Sequence, residues 1–158
     1  MRKAIRSPLL AVTLVLVFAG SVLATGAGGF HAAIQARGTV SERTHVHNSA
    51  GEFEAKGPLD VVTATVTIDP LGSSGWHSHP GMVFVTVVSG SLVFYDDHCR
   101  ASVYAAGSAF VESGKDAGLV RNESTTTAAT VAATYVVPAG TPNAGLRVDM
   151  ANPGCPKS

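Results

Sequence analysis

The chain has 158 residues, 46% hydrophobic and 14% charged, with 11 basic and 11 acidic side chains. Without a basic surface it is not expected to bind nucleic acid. The length suits one domain once a leader is set aside.

The start reads as an export signal. Arg2, Lys3 and Arg6 form a positive head, an apolar stretch runs from Leu9 to about Phe18, and Val22 and Ala24 precede a cleavage point. Residues 1–24 are therefore assigned as a signal peptide, which places the protein outside the cytoplasm, secreted or in the periplasm or cell envelope. The alternative is an uncleaved anchor, the one way this chain would meet a membrane. Leu9 to Ala24 is short for a span of roughly 20 residues. The remaining chain carries 8 basic against 11 acidic residues.

Residues 25–58 read as an N-terminal extension. Its first part, to about residue 36, is a glycine-containing lead-in; its second is mixed and polar. From Val61 the pattern changes. "VVTATVTI", Val61 to Ile68, is a β-branched run bounded by Pro58 and Asp69-Pro70, the signature of a strand. Met82–Val88 and Ser91–Tyr95 flank Ser89-Gly90 and make a hairpin. Shorter strands follow at Ser102–Tyr104, Ala109–Val111 and Gly118–Asn122, and a long one at Thr127–Val137. No helical period appears after the leader. Short strands between Gly, Pro and Asp turns predict an all-β antiparallel barrel or sandwich over residues 59–138. By strand alternation Val85, Val87, Phe94 and Tyr135 are core candidates. Residues 139–158 form a tail. Its Cys155 is expected to pair with Cys99, because an even number of cysteines in an exported protein is most simply a disulfide.

The chemistry centres on "GWHSHPG", Gly75 to Gly81. On a strand, residues two apart share a face, so His77 and His79 aim at one spot and can chelate a divalent ion. A bare His-x-His is also found on ordinary surfaces. The second such pair, His45 and His47, and the loop residue His98 are read as exposed. No base and orienting acid can be assigned around Ser73, Ser74 or Ser78, and no phosphate-binding glycine motif occurs.

Gly72, His77, His79 and Gly90 fall in a frame that resembles the first signature of the cupin superfamily, and Gly107 and Asn122 match the two ends of the second. The resemblance runs from Asp60 to Pro138 and implies a single jelly-roll-like cupin barrel. It also implies a metal centre of three histidines and one glutamate. Only His77 and His79 match; the glutamate position falls on Val83 and the third histidine on Gly118. The proline and inner glycine of the second signature fall on Ser113 and Lys115. Asp116, two residues before Gly118, is the preferred replacement ligand; Glu112 ranks behind it because it precedes the presumed turn. Trp76, Val83, Val85 and Gly118 are expected to line a pocket made greasier and roomier by the missing ligands.

Two functions follow. The first is an exported barrel that binds a small molecule, with a weak divalent site for Fe, Mn, Ni or Zn at His77, His79 and Asp116. The second is a metal-dependent cupin enzyme of oxygenase, isomerase or decarboxylase type. A homodimer is a further expectation of the resemblance, with Met82 and Phe84 facing the second layer or a partner.

Overall fold

The computed structural model describes residues 24–156; the assigned leader, apart from Ala24, lies outside them. The described chain is almost entirely β. In chain order the strands are β1 (Gly28–Val40), β2 (Thr44–Asn48), β3 (Gly51–Ala55), β4 (Leu59–Ser73), β5 (His77–Ser78), β6 (Met82–Ser89), β7 (Ser91–Tyr95), β8 (Ala101–Ala105), β9 (Ala109–Glu112), β10 (Leu119–Arg121), β11 (Ala129–Pro138) and β12 (Val148–Asp149). A single 3₁₀ turn, Asn143–Leu146, precedes β12. None of the helical segments described is long and apolar enough to cross a membrane.

Eight strands form one antiparallel sheet in the order β8-β7-β10-β4-β11-β6-β9, with β1 added to β4. The sheet curls until it is nearly closed. The hairpin expected of Met82–Val88 and Ser91–Tyr95 does not form: β6 pairs with β11 and β9 and β7 with β8 and β10, so the tight turn between them leads toward the opposite end of the strand order, and a local turn signal cannot say which strands pair. Gly90, at that turn, has a φ of 76°, in the left-handed region. A side chain there would also press on the Ala128 carbonyl, so glycine fits on both counts.

The β-branched runs alternate as a curled sheet requires. Val62, Ala64, Val66 and Ile68 of β4 face inward beside Val131, Ala133, Tyr135 and Val137 of β11, and Val83, Val85 and Val87 of β6 complete that wall. Leu92, Phe110 and Val120 close the interior from the other side. Burying each of the Val, Ile, Leu and Phe side chains among them contributes roughly 1.5–3 kcal/mol.

The lead-in expected up to residue 36 is instead strand. β1 pairs with β4 from Gly28 to Val40, with shifts of register near Gly29 and Gln35. Its residues are mostly exposed. Backbone hydrogen bonds to the free edge of β4 hold it, and a hydrophobic pattern cannot reveal that kind of attachment. Asp60 at the start of β4 locks the junction. Thr39 Oγ1 donates to its Oδ1 at 2.6 Å, and Arg37 and the Gly140 N–H reach its Oδ2.

The tail is fixed as well. Cys99 and Cys155 are joined by a disulfide, and β12 pairs with β5, placing Asp149 opposite His77.

Candidate metal centre

His77 and His79 point into the barrel at the end where β5 meets the tail, and both are buried. Their rings lie 4.8 Å apart at 87°. Each Nδ1 is held by a backbone carbonyl: His77 by Gly75 O at 2.9 Å and His79 by Leu146 O at 2.6 Å. A carbonyl only accepts, so each Nδ1 carries the proton. In the neutral ring that leaves each Nε2 with a lone pair.

Both lone pairs face one carboxylate. Glu112 Oε2 is 2.7 Å from His79 Nε2 and 3.9 Å from His77 Nε2. The short approach is not aligned as a hydrogen bond, and His79 Nε2 is buried with no hydrogen-bond partner. Three acceptors thus converge in a buried pocket, with ligand atoms within 4.8 Å of one another. Such a cluster needs a cation, either a proton or a metal ion. Nitrogen and carboxylate ligands sit about 2.0–2.2 Å from zinc, so neighbouring ligand atoms around one ion lie about 3–3.5 Å apart. The observed separations bracket that value, and the donor set fits a divalent transition metal. The carbonyls on Nδ1 are the outer partners that orient ligating imidazoles.

Glu112, not Asp116, completes the group. It lies on β9 directly opposite Val83 of β6. Opposite residues of an antiparallel pair share a face, so the carboxylate missing at Val83 enters the same space from the neighbouring strand. The sequence held a signal for this: Glu112 has the parity of buried Phe110, with exposed Val111 between them. Asp116 is exposed and accepts from Ser113 Oγ. It lines the outer mouth rather than joining the imidazoles.

The other predicted residues divide. Val83 and Val85 line the inner cavity, together with Tyr135 and Arg147. Trp76 does not; it is fully buried behind the site, packed with Leu119 and Cys155. Gly118 lies at the mouth and leaves no gap there. A Cβ on it would sit 2.8 Å from the Phe94 ring, so Phe94 occupies the space where the sequence reading places a third imidazole. Gly118 also exchanges two backbone hydrogen bonds with His77. Gly118→His is therefore expected to add no ligand and to cost about 1–3 kcal/mol by overpacking. Urea midpoints and metal stoichiometry check this, and adding Phe94→Ala should recover part of the loss.

The inner cavity measures about 40 Å³. That holds an ion or a few waters, well short of the roughly 300 Å³ of a small organic ligand pocket. The missing ligands have not made the interior roomy. The mouth outside the histidines is larger, about 190 Å³, and is edged by Phe94, Asp96, Asp97, Arg100, Asp116 and Gly118.

Burial holds the His77 imidazole below its ordinary value of 6.5; the nearby Glu112 charge acts in the opposite direction. Burial, reinforced by Glu112, pushes the Tyr135 phenol up to about 12, so it keeps its proton at neutral pH. A consequence follows for metal-free protein. As pH falls below 6.5 the unfolded chain takes up a proton that folded His77 resists, so stability should decline from there downward. Urea midpoints of chelator-treated protein at pH 7.5 and 5.5 read the decline, which His77→Phe should make shallower.

A nearly closed, eight-stranded antiparallel sheet carrying an inward His-x-His pair, with Gly90 at the tight turn between β6 and β7 and Asn122 in the loop beyond β10, decides the architecture. The barrel is consistent with a jelly roll of the cupin type. Asn122 is wholly buried, donating to the Ile68 and Thr127 carbonyls and accepting from the Ser124 N–H. Its place in the cupin frame is thus a loop-holding one.

No family model and no curated protein matches the sequence. Among solved structures, the chain is similar to a cupin superfamily protein from Desulfitobacterium hafniense, with 8% identity over 68% of this chain and 77% of that one, at a TM-score of 0.49. It is similar to a conserved protein of unknown function from Streptococcus pyogenes, with 22% identity over 49% and 64%, at 0.44. It is also similar to an oxalate oxidase, with 23% identity over 50% and 46%, at 0.42. The chain thus spans less than two thirds of the Streptococcus protein and less than half of the oxidase.

Proposed function

We propose that this is an exported cupin-fold protein whose working centre is one divalent metal ion held by His77, His79 and Glu112, with a small organic molecule engaged from the mouth. One observation carries the reading: two imidazoles fixed as Nδ1–H tautomers present bare Nε2 lone pairs to a buried carboxylate. Two histidines and a carboxylate with further positions open is the donor pattern of mononuclear non-haem iron sites, and manganese, nickel and zinc also accept such donors. Bound there, the ion would supply Lewis-acid or redox chemistry.

The chain's own residues set the terms. The valine-lined interior excludes bulk water behind the histidines. Tyr135, protonated and 5.5 Å from His79 by ring centroids, is a neutral wall of the cavity. The small inner cavity and larger mouth favour a substrate that approaches from the Phe94–Asp116 side without entering the barrel. This weighs toward the metal-dependent enzyme reading over a barrel-filling ligand. The disulfide is compatible with an exported protein. Metal analysis of the purified protein should find one equivalent of a single divalent metal, which His77→Ala loses. Protein that stays metal-free after loading with iron, manganese, nickel and zinc in turn would end the proposal.

A further inference from the structure

A second His-x-His pair, faced by two glutamates, lies away from the barrel interior, on the hairpin formed by β2 and β3. Its register pairs His45 with Glu54 and His47 with Glu52, while Val46 pairs with Phe53. Residues directly opposite share a face, and so do residues two apart along a strand. His45, His47, Glu52 and Glu54 therefore all occupy one face of the ribbon. Val46 and Phe53 occupy the other, where Phe53 is half-buried and lines a groove with Pro58, Met82 and Val136. All four polar residues are exposed.

The register is held by its turn. Asn48 Oδ1 accepts from the Ala50 N–H, and Gly51 has a φ of 151° that favours glycine. The side chains already reach across the ribbon: His45 Nε2 lies 2.7 Å from Glu52 Oε1, a diagonal contact. His47 and Glu54 make no side-chain hydrogen bond or ion pair among the described residues, so both are available.

We propose that this face is a second, exposed divalent-metal site, with His45 and His47 as nitrogen ligands and Glu52 and Glu54 as neutralising carboxylates. It uses no residue of the inner centre. Two imidazoles two residues apart on one strand span a single ion, and two carboxylates balance its charge. The ligands are already solvated, so no burial cost opposes binding; ordering four mobile side chains does, and keeps the affinity moderate. Divalent affinities at nitrogen-rich sites rise to a maximum at copper, so Cu²⁺ is the most sensitive probe.

Calorimetric titration of Cu²⁺ into the full folded protein, with ¹H–¹⁵N spectra, tests the site. Wild type should show paramagnetic broadening of the amides of residues 44–48 and 51–55. His45→Ala/His47→Ala should weaken that binding event at least tenfold, and Glu52→Gln/Glu54→Gln severalfold. His77→Ala should leave it in place, which separates failure here from failure of the inner centre. These surface variants should keep the wild-type circular dichroism spectrum. Broadening confined to other segments, or a titration unchanged in the double histidine variant, would overturn the proposal.

Discussion

Glu112→Gln is expected to lower the affinity of the inner centre for divalent metal by at least about 100-fold, the upper end of what even an outer-shell partner costs. Glutamine keeps the size of the side chain and removes its charge. It also supplies an N–H that can donate to the bare Nε2 of His79, only 2.7 Å from the present carboxylate oxygen. The metal-free variant should therefore be at least as stable as wild type, because a pair of facing acceptors becomes a hydrogen bond. The two effects have opposite signs, and that distinguishes a ligand from a structural residue. Wild type should gain melting temperature on adding metal, as any ligand of the folded state requires; Glu112→Gln should not. Asp116→Ala should behave as wild type in both measurements. Equal metal affinity in Glu112→Gln and wild type would remove Glu112 from the centre.

Removing the disulfide should cost about 4 kcal/mol by the chain-entropy relation for a sequence separation of 56, a fall in melting temperature on the order of 10–20 °C. The loss should extend to the metal centre. Cys155 anchors the tail that carries the Leu146 carbonyl on His79, the Asp149 pairing with His77 and the Met150 hydrogen bond to Trp76. The same tail places Arg147 at the cavity, where its guanidinium is tied to Asp149 and to the Ser74 carbonyl. Cys99 lies in the loop whose Asp96, Asp97 and Arg100 edge the mouth. Cys99→Ser/Cys155→Ser should thus lower both the urea midpoint and the metal affinity of the refolded protein. An unchanged metal affinity would mean that the tail stays seated on β5 without its staple.

Sequence alone fixed the β-class, through β-branched runs broken by Gly, Pro and Asp, and put the long strands near Val61–Ile68, Met82–Val88 and Thr127–Val137. It located the imidazoles, because spacing by two on an extended chain is local information. It paired Cys99 with Cys155 by parity and setting. Toward the carboxylate it offered only the parity of Glu112 with Phe110, which does not exclude Asp116. Asp116 and Glu112 are both close to Gly118 in sequence, and the choice depends on which residue β6 meets across the ladder. That register belongs to the folded sheet, and it sets Glu112 opposite Val83 while leaving Asp116 in solvent. The filling of the Gly118 gap by Phe94, the burial of Trp76 behind the site against Leu119 and Cys155, and the attachment of β1 to β4 are likewise non-local. Each depends on strands remote in sequence becoming neighbours, which only the closed barrel decides.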